Sequence, residues 1–312
     1  MLEFYKTFED GTRRIAEPEP GCWINAVAPT EEERNFLIEQ IGILPEFVKS
    51  SLDEEESSHI DYDDDFRQVL IIFDYPSAEN EDDDSIDSTY STLPIGIVIL
   101  KGYVVTISLY ENWSILEMSQ GRIKGVDTRL KTRFFLLLAL RISQRFLICL
   151  RQIDRLSSRT ETRLHQSVEN DELIEMLGLE KSLVYFSTSL KSDEVTLSKI
   201  MRGKQIQLYE EDEDLLEDVM IEIHQAIEMC NIYSNTMAGT MDTFASIISN
   251  NMNIVMNKLT VITIVMAIPN IIFGFYGMNV QLPFPFAWFP SFIAILACII
   301  ATVYFFRHNM FK

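Results

Sequence analysis

From Leu259 to Phe306 the chain runs for 48 residues without a Lys, Arg, Asp, Glu or His, and no other feature limits its fold as much. About 20 apolar residues cross a bilayer as a helix, so this stretch has room for two crossings and a turn. It divides by itself. Leu259 to Phe275 is one apolar block, extended backward by Ile254, Val255 and Met256, and Phe289 to Phe306 is the second. Between them "YGMNVQLPFPFAW" carries the glycine, prolines and aromatic side chains of a turn at a membrane interface. Core helices of a soluble protein would show charge on some face over two helix lengths, and these show none.

Lys258 precedes the first block, Arg307 and Lys312 follow the second, and the connecting loop is uncharged. The positive-inside rule then predicts a multi-pass protein of the cell membrane with both termini cytoplasmic and the loop outside. The first block is not uniformly apolar. Asn253, Asn257, Thr260, Thr263 and Asn270 recur at helical spacing, with Ala267 and Gly274 in the same stripe. In lipid such a face needs a partner or water. It holds more amide and hydroxyl than helix packing requires, which favours a water-lined path. "FFLLLAL", Phe134 to Leu140, only mimics a span: it is framed by Arg133 and Arg141, too short to cross, and reads as the buried face of a soluble helix.

The rest of the chain is acidic. Its 47 Asp and Glu outnumber 26 Lys and Arg, and every acidic residue lies before Leu259. Such a body argues against nucleic acid, whose phosphates are bound by clustered Lys and Arg, and suits cations. Cys22, Cys149, Cys230 and Cys298 are scattered without a CxxC pair, so neither a zinc finger nor a disulfide framework is expected. "MLEFYKTFEDGTRR" lacks the apolar core of a signal peptide. No Ser/His/Asp set, phosphate loop or paired His ligands occur, so an enzyme is not expected.

Prolines crowd the first hundred residues and then stop until Pro269, which predicts an α+β (α/β) head followed by long helices. "GCWINAVAP" and "RQVLIIFDYP" read as strands, and "LPIGIVILKGYVVTISL" as two strands around Lys101-Gly102. Thr30 and Glu33 form a capping box. Helical periodicity covers Thr128 to Glu169 and Asp171 to Met201, and a last helix starts near Leu208. Sixty residues of it would make a rod of about 90 Å. We divide the chain into residues 1–127 (cytoplasmic α/β domain), 128–250 (helical and stalk region) and 251–312 (transmembrane domain with a short tail), with spans at about 254–276 and 289–306. "DYDDDF" opens like a calcium loop but has Phe66 where the turn needs Gly. "ENEDDDSID" reads as a solvated loop. "YEEDEDLLED", Tyr209 to Asp218, reads as a helix start favoured by the macrodipole or as part of a divalent-cation site shared between subunits.

Tyr276-Gly277-Met278-Asn279, at the end of a proline-containing span close to a C-terminal second span, resembles the signature of CorA-type magnesium transporters. "LDEEESSHIDYDDDFRQVLIIFDYP", "LPIGIVILKGYVVTIS" and "DTFASIISNNMNIVMNKLT" are similar to the family's head and stalk-to-pore segments, so the resemblance spans nearly the whole chain. It implies a funnel-shaped homopentamer in the membrane that takes up hydrated Mg2+ passively and is gated by cytoplasmic Mg2+. By position, Gly277, Met278 and Asn279 would form the selectivity filter. Asn270, Thr263, Met256 and Asn253 would line the pore, and Asp242 would form a ring below it. Asp218 falls where the family has a regulatory carboxylate, and Asp214 lies near it at helical spacing. Better-known members carry a carboxylate in the outer loop, whereas "VQLPFPFAW" has none, so the resemblance leaves Co2+, Ni2+ and Zn2+ open as cargo. A zinc transporter of the same family, or a membrane-anchored cation sensor without flux, are the alternatives.

Overall fold

Two runs, "QVLIIFDYPSA" and "YSTLPIGIVIL", are too apolar for strands with a wet face, and the computed structural model covers both their sides. They form β5 (Gln68–Ala78) and β6 (Tyr90–Leu100), paired antiparallel with Leu70 opposite Val98. β6 turns through Lys101-Gly102 into β7 (Tyr103–Ser108), and Gly102 takes φ +96°, a backbone region open to glycine. The structure describes residues 1–9, 11–78, 89–166, 170–203, 206, 208–278, 286 and 288–307, without the side chains of 165 and 166. "ENEDDDSID" lies outside the described residues.

β1 (Leu2–Phe8), β2 (Gly11–Ile15), β3 (Cys22–Val27) and β4 (His59–Asp63) complete a seven-stranded sheet ordered β2-β1-β3-β7-β6-β5-β4. Only β3 and β7 run parallel among the described pairs, with Ile24 opposite Val105. The mixed sheet makes the head α+β. "DYDDDF" finishes β4 and turns into β5, Asp63 pairing with Gln68, so these acids serve a hairpin.

Alternate side chains of the central strands point to opposite faces. On one face Ile24, Ala26, Leu70, Ile72, Val98, Val105 and Ile107 pack under α1 (Glu31–Phe36), the π-helical turn Leu37–Ile41 and α2 (Pro45–Ser50), which contribute Leu37, Phe47 and Val48. The Thr30 capping box opens α1 as expected: Glu33 N–H donates to Thr30 Oγ1 at 3.3 Å and Thr30 N–H to Glu33 Oε2 at 2.9 Å. Trp23 and Phe73 face the other way. Their rings meet Phe134 at 5.1 Å and Phe135 at 6.0 Å on α4 (Lys131–Gln166). "FFLLLAL" is therefore a buried helix face in the head. The short α3 (Trp113–Ser119) is capped by Asn112, whose Oδ1 accepts from Ser114 N–H at 2.7 Å.

α5 (Asn170–Arg202) packs beside α4, with Phe186 against Phe146 at 5.0 Å. α6 (Glu210–Tyr276) is a single 67-residue helix with Pro269 inside it. Asp212, Leu216, Val219, Ile223, Ala226, Cys230 and Met237 are buried, a stripe that repeats every three or four residues and packs in the head. α7 (Phe289–Arg307) follows. The chain divides into two compact units, 1–238 and 239–312, and α6 contributes to both.

α2 sits on the sheet at Gly96. A Cβ there would lie 1.9 Å from Ser51 Oγ and 3.2 Å from Ser51 Cα, so the helix has no room to accept it. Gly96→Ala is expected to destabilise the head by about 1–3 kcal/mol, the usual cost of overpacking a core. Thermal melting checks this, and Ser51→Gly in the same chain should restore part of the loss. An unchanged melting temperature for Gly96→Ala would refute the close approach.

Candidate functional site

Within residues 239–312 two helices pack together. α7 covers the side of α6 that carries Val261 and Val265. Val261 is 1% exposed and Ala294 of α7 is 3%. The Cys298 thiol lies 3.6 Å from Val265 O, and the Tyr276 and Phe289 rings are 6.4 Å apart. Both helices are long and apolar enough to cross a membrane.

The opposite side of α6 is polar and bare. At about 100° per residue, Asn270 lies half a turn from Val261, and Thr263 nearly so. Met256, Thr263 and Asn270 are exposed there, Asn253 and Thr260 are exposed on its flank, and Asn257 is exposed on the side nearer Val261. The threonines are satisfied within the helix: Thr260 Oγ1 donates to Met256 O at 2.8 Å and Thr263 Oγ1 to Leu259 O at 2.8 Å. No such bond ties down the Asn253, Asn257 or Asn270 amide among the described residues.

The polar face extends toward the head. Asp242, Ser246, Ser249, Asn250 and Asn253 line one shallow groove on α6. Ser246, Ser249 and Asn250 did not emerge from the sequence reading, yet for Ser249 a signal was present. Asp242, Ser249, Met256, Thr263, Asn270 and Gly277 follow one another at seven-residue intervals. A straight helix drifts about 20° per seven residues, so this repeat keeps one face inward only when helices wind left-handedly around a shared axis.

At the far end, Gly277 closes α6: its N–H donates to Phe273 O at 2.9 Å, and Met278 N–H to Phe275 O at 3.4 Å. A Cβ on Gly277 would lie 3.2 Å from Phe273 O, tighter than ordinary packing. Met278 is exposed. Asn279, the remaining filter candidate, lies outside the described residues, as do residues 280–285, 287 and 308–312.

The two acidic candidates sit on the first turns of α6. Asp214 and Asp218 are exposed and share a helix side with Ile221 and Ile232, which are 56% and 57% exposed. Asp212 is different: it is buried, and its Oδ2 accepts from Tyr209 N–H at 3.3 Å, closing the helix start. No group of three His, Cys, Asp or Glu that could hold a metal occurs among the described residues, so one chain alone does not complete a site around Asp214 and Asp218.

Residues 19–308 match the family model described as CorA-like Mg2+ transporter protein. The chain belongs to the CorA family. It is 29% identical over 266 residues to the cobalt/magnesium transport protein CorA of Methanocaldococcus jannaschii, covering 82% of this chain and 79% of that one. The complete structure of CorA magnesium transporter from the same organism matches with a TM-score of 0.82 at 23% identity, over 99% of this chain and 98% of that one. The cytoplasmic domain of ZntB from Vibrio parahaemolyticus shares the fold at a TM-score of 0.62 and 13% identity, over 80% of this chain and 98% of that one. CorA membership makes the chain a membrane transporter of divalent cations and places it among transporters rather than enzymes. The α+β head, the long helix and the two C-terminal apolar helices are the architecture that this CorA fold shares.

Proposed function

We propose that five copies of the chain surround a central path lined by α6 and let Mg2+ pass down its gradient into the cell. The polar face of α6 opposite α7 carries this reading. In lipid the bare amides would cost free energy, and the seven-residue repeat brings that face to a common axis. The number five follows from the family resemblance. Asn270, Thr263, Met256 and Asn253 line the path, and Asp242 forms a carboxylate ring at its head-ward end. Gly277 and Met278 shape the outer turn, where Asn279 forms the filter.

Mg2+ gives up its inner waters reluctantly. Neutral amide oxygens that accept hydrogen bonds from those waters are a cheaper first contact than direct ligation. The name of the M. jannaschii relative includes cobalt, so Co2+ is a second cargo, and Ni2+ and Zn2+ belong in the same competition. Asn279→Ala should abolish uptake in liposomes while the oligomer stays intact, with Mg2+, Co2+, Ni2+ and Zn2+ offered separately. Wild-type uptake by an assembled mutant would remove Asn279 from the filter. No flux of any ion through the unmodified protein would favour a sensor.

Lys258, inside α6 18 residues before its end at Tyr276, and Arg307, 18 residues after the start of α7 at Phe289, are both exposed and lie one span length from the outer turn, which supports cytoplasmic termini. A cysteine at Gln281 should react with an impermeant reagent added outside, and one at Lys312 should not. The reverse pattern overturns the topology.

Five acidic heads repel one another unless cations bridge them. Asp214 and Asp218 are the proposed bridge, because their helix side also exposes Ile221 and Ile232, as a surface that meets a neighbouring copy would. Mg2+ there stabilises the closed state and so limits its own entry. Asp214→Asn with Asp218→Asn is expected to raise the Mg2+ concentration that suppresses current, measured from the cytoplasmic side. Unchanged inhibition would exclude the pair.

A further inference from the structure

Of the four carboxylates buried among the described residues, Glu117 pairs with Arg141 and Asp212 caps α6, which leaves Asp74 and Asp193. Asp74 on β5 is 7% exposed and Asp193 on α5 is fully buried. Their setting follows from where β4 stops. β4 pairs with β5 only as far as His59 opposite Ile72, so the β5 backbone beyond that point has lost its neighbour. α5 supplies the missing partners. Asp193 Oδ1 accepts from Asp74 N–H at 3.0 Å, while the Ser58 hydroxyl bridges Ile72 O and Thr196 Oγ1, each at 2.9 Å. Farther along the same helix side, Ser182 Oγ accepts from Tyr90 N–H at 2.9 Å and Ser189 Oγ donates to Thr92 Oγ1 at 2.8 Å. A polar seam thus fastens α5 to β5 and β6.

A serine or an asparagine could cap the Asp74 N–H without burying a charge, so capping alone does not explain the carboxylate. The second oxygen of Asp193, Oδ2, is buried and has no hydrogen-bond partner among the described residues. The ionised form of such an oxygen is costly to bury. Burial pushes the Asp74 carboxyl up to about 6. Burial also raises Asp193 well above the usual carboxylate range, and the Asp74 charge adds to that shift, while the Asp74 N–H and Ser58 counter it only in part. Among the described residues no Lys, Arg or His offsets the pair. β6 places Pro94 opposite Asp74 and has no acid or base along its length. On β4, His59 is turned to Ser57 O at 2.9 Å and to Glu56 at 3.6 Å. On α5, Glu194 is engaged with His224 of α6 at 2.6 Å. On α4, Arg133 pairs with Glu211 and Arg141 with Glu117. No third His, Cys, Asp or Glu joins the two carboxylates to make a metal-ligand group among the described residues. A proton is the cation that fits.

We propose that the Asp74–Asp193 pair is a proton-operated latch between α5 and the sheet, closed while the pair holds a proton and loosened when both carboxylates are charged. The proton turns the unbonded Asp193 oxygen into a donor and removes the like-charge contact. The sign follows from linkage. Both groups hold their proton more tightly folded than unfolded, so the folded head binds more protons between the ordinary carboxylate range and the raised values. Stability is therefore greatest in acid and falls as pH rises, through about 6 for Asp74 and beyond for Asp193.

The test uses the full chain in detergent. Infrared spectra of the unmodified protein at about pH 6 should show a buried protonated-carboxyl band that Asp193→Asn weakens. As pH rises from about 4 through 6 and above, the melting temperature of the unmodified protein should fall relative to that of Asp193→Asn, which keeps an acceptor for Asp74 N–H. Added Mg2+ should shift both proteins equally. Absence of the band at about pH 6, or an equal slope in the variant, overturns the latch. Mg2+ stabilisation lost only in Asp193→Asn overturns it in favour of a metal ion. Should the variant not fold, the band of the unmodified protein, followed across the same range, decides alone.

Discussion

A side-chain amide held in hydrocarbon without a partner costs free energy that neighbouring apolar side chains do not return. α6 carries such an amide at Asn270, half a turn from Val261, and another at Asn253 on the flank of the same exposed side, while α7 covers the side with Val261 and Val265. One chain has no second helix to place over the polar face. On the proposed function further copies of the chain cover that face, and the requirement propagates down the helix. The same seven-residue positions that bring Thr263 and Asn270 to an axis also bring Ser249 and Asp242 there, so an assembly that satisfies the membrane segment also sets α6 side by side below it.

Much of this was legible in the sequence because it depends on long, repetitive patterns. Forty-eight uncharged residues announce two spans whatever the head does. The apolar runs of β5, β6 and β7 stand out because they are buried on both faces, and the long helices stand out because nothing interrupts their period. β1, β2 and β4 were not anticipated. They lie at or near the edges of the sheet, with half their side chains in water, and "GTRRI" or "HIDYD" reads locally as polar loop. Their strand character is imposed by the neighbours they pair with, which no short window contains. The site divides in the same way. Asn253, Thr263 and Asn270 were visible through helical spacing, whereas Ser249 needed the seven-residue period that matters only for a bundle, and Ser246 and Asn250 needed the groove itself. Asp74 and Asp193 were invisible for another reason: they are 119 residues apart along the chain and meet only once α5 lies on β5.

Charge is distributed to match these roles. Asp212, one of the acids in the first turn of α6, is spent on a cap, so only the exposed ones remain free to act between copies. The ionisable pair in the core has no salt bridge to a basic group among the described residues, and burial is the largest cause that raises both carboxyls. On the two proposals above, the head would read two kinds of cation at two depths: metal ions outside, between copies, and protons inside, at Asp74 and Asp193.

The proposed path reverses that scheme by carrying no acid between Asp242 and the outer turn. A hydrated divalent ion presents water hydrogens outward, so what suits it is a lining of acceptors. Thr260 and Thr263 are already committed as donors to Met256 O and Leu259 O in the preceding turn of α6. A hydroxyl that has given its proton to the helix offers only lone pairs to the other side. The threonines are thus fixed as acceptors by the backbone itself, whereas the asparagine amides keep both a donor and an acceptor and must be oriented by what they meet. The lining holds the ion by its water shell, weakly at each level, and a weak hold at several levels is what permits passage. A carboxylate in the same positions would bind the first ion too well to release it.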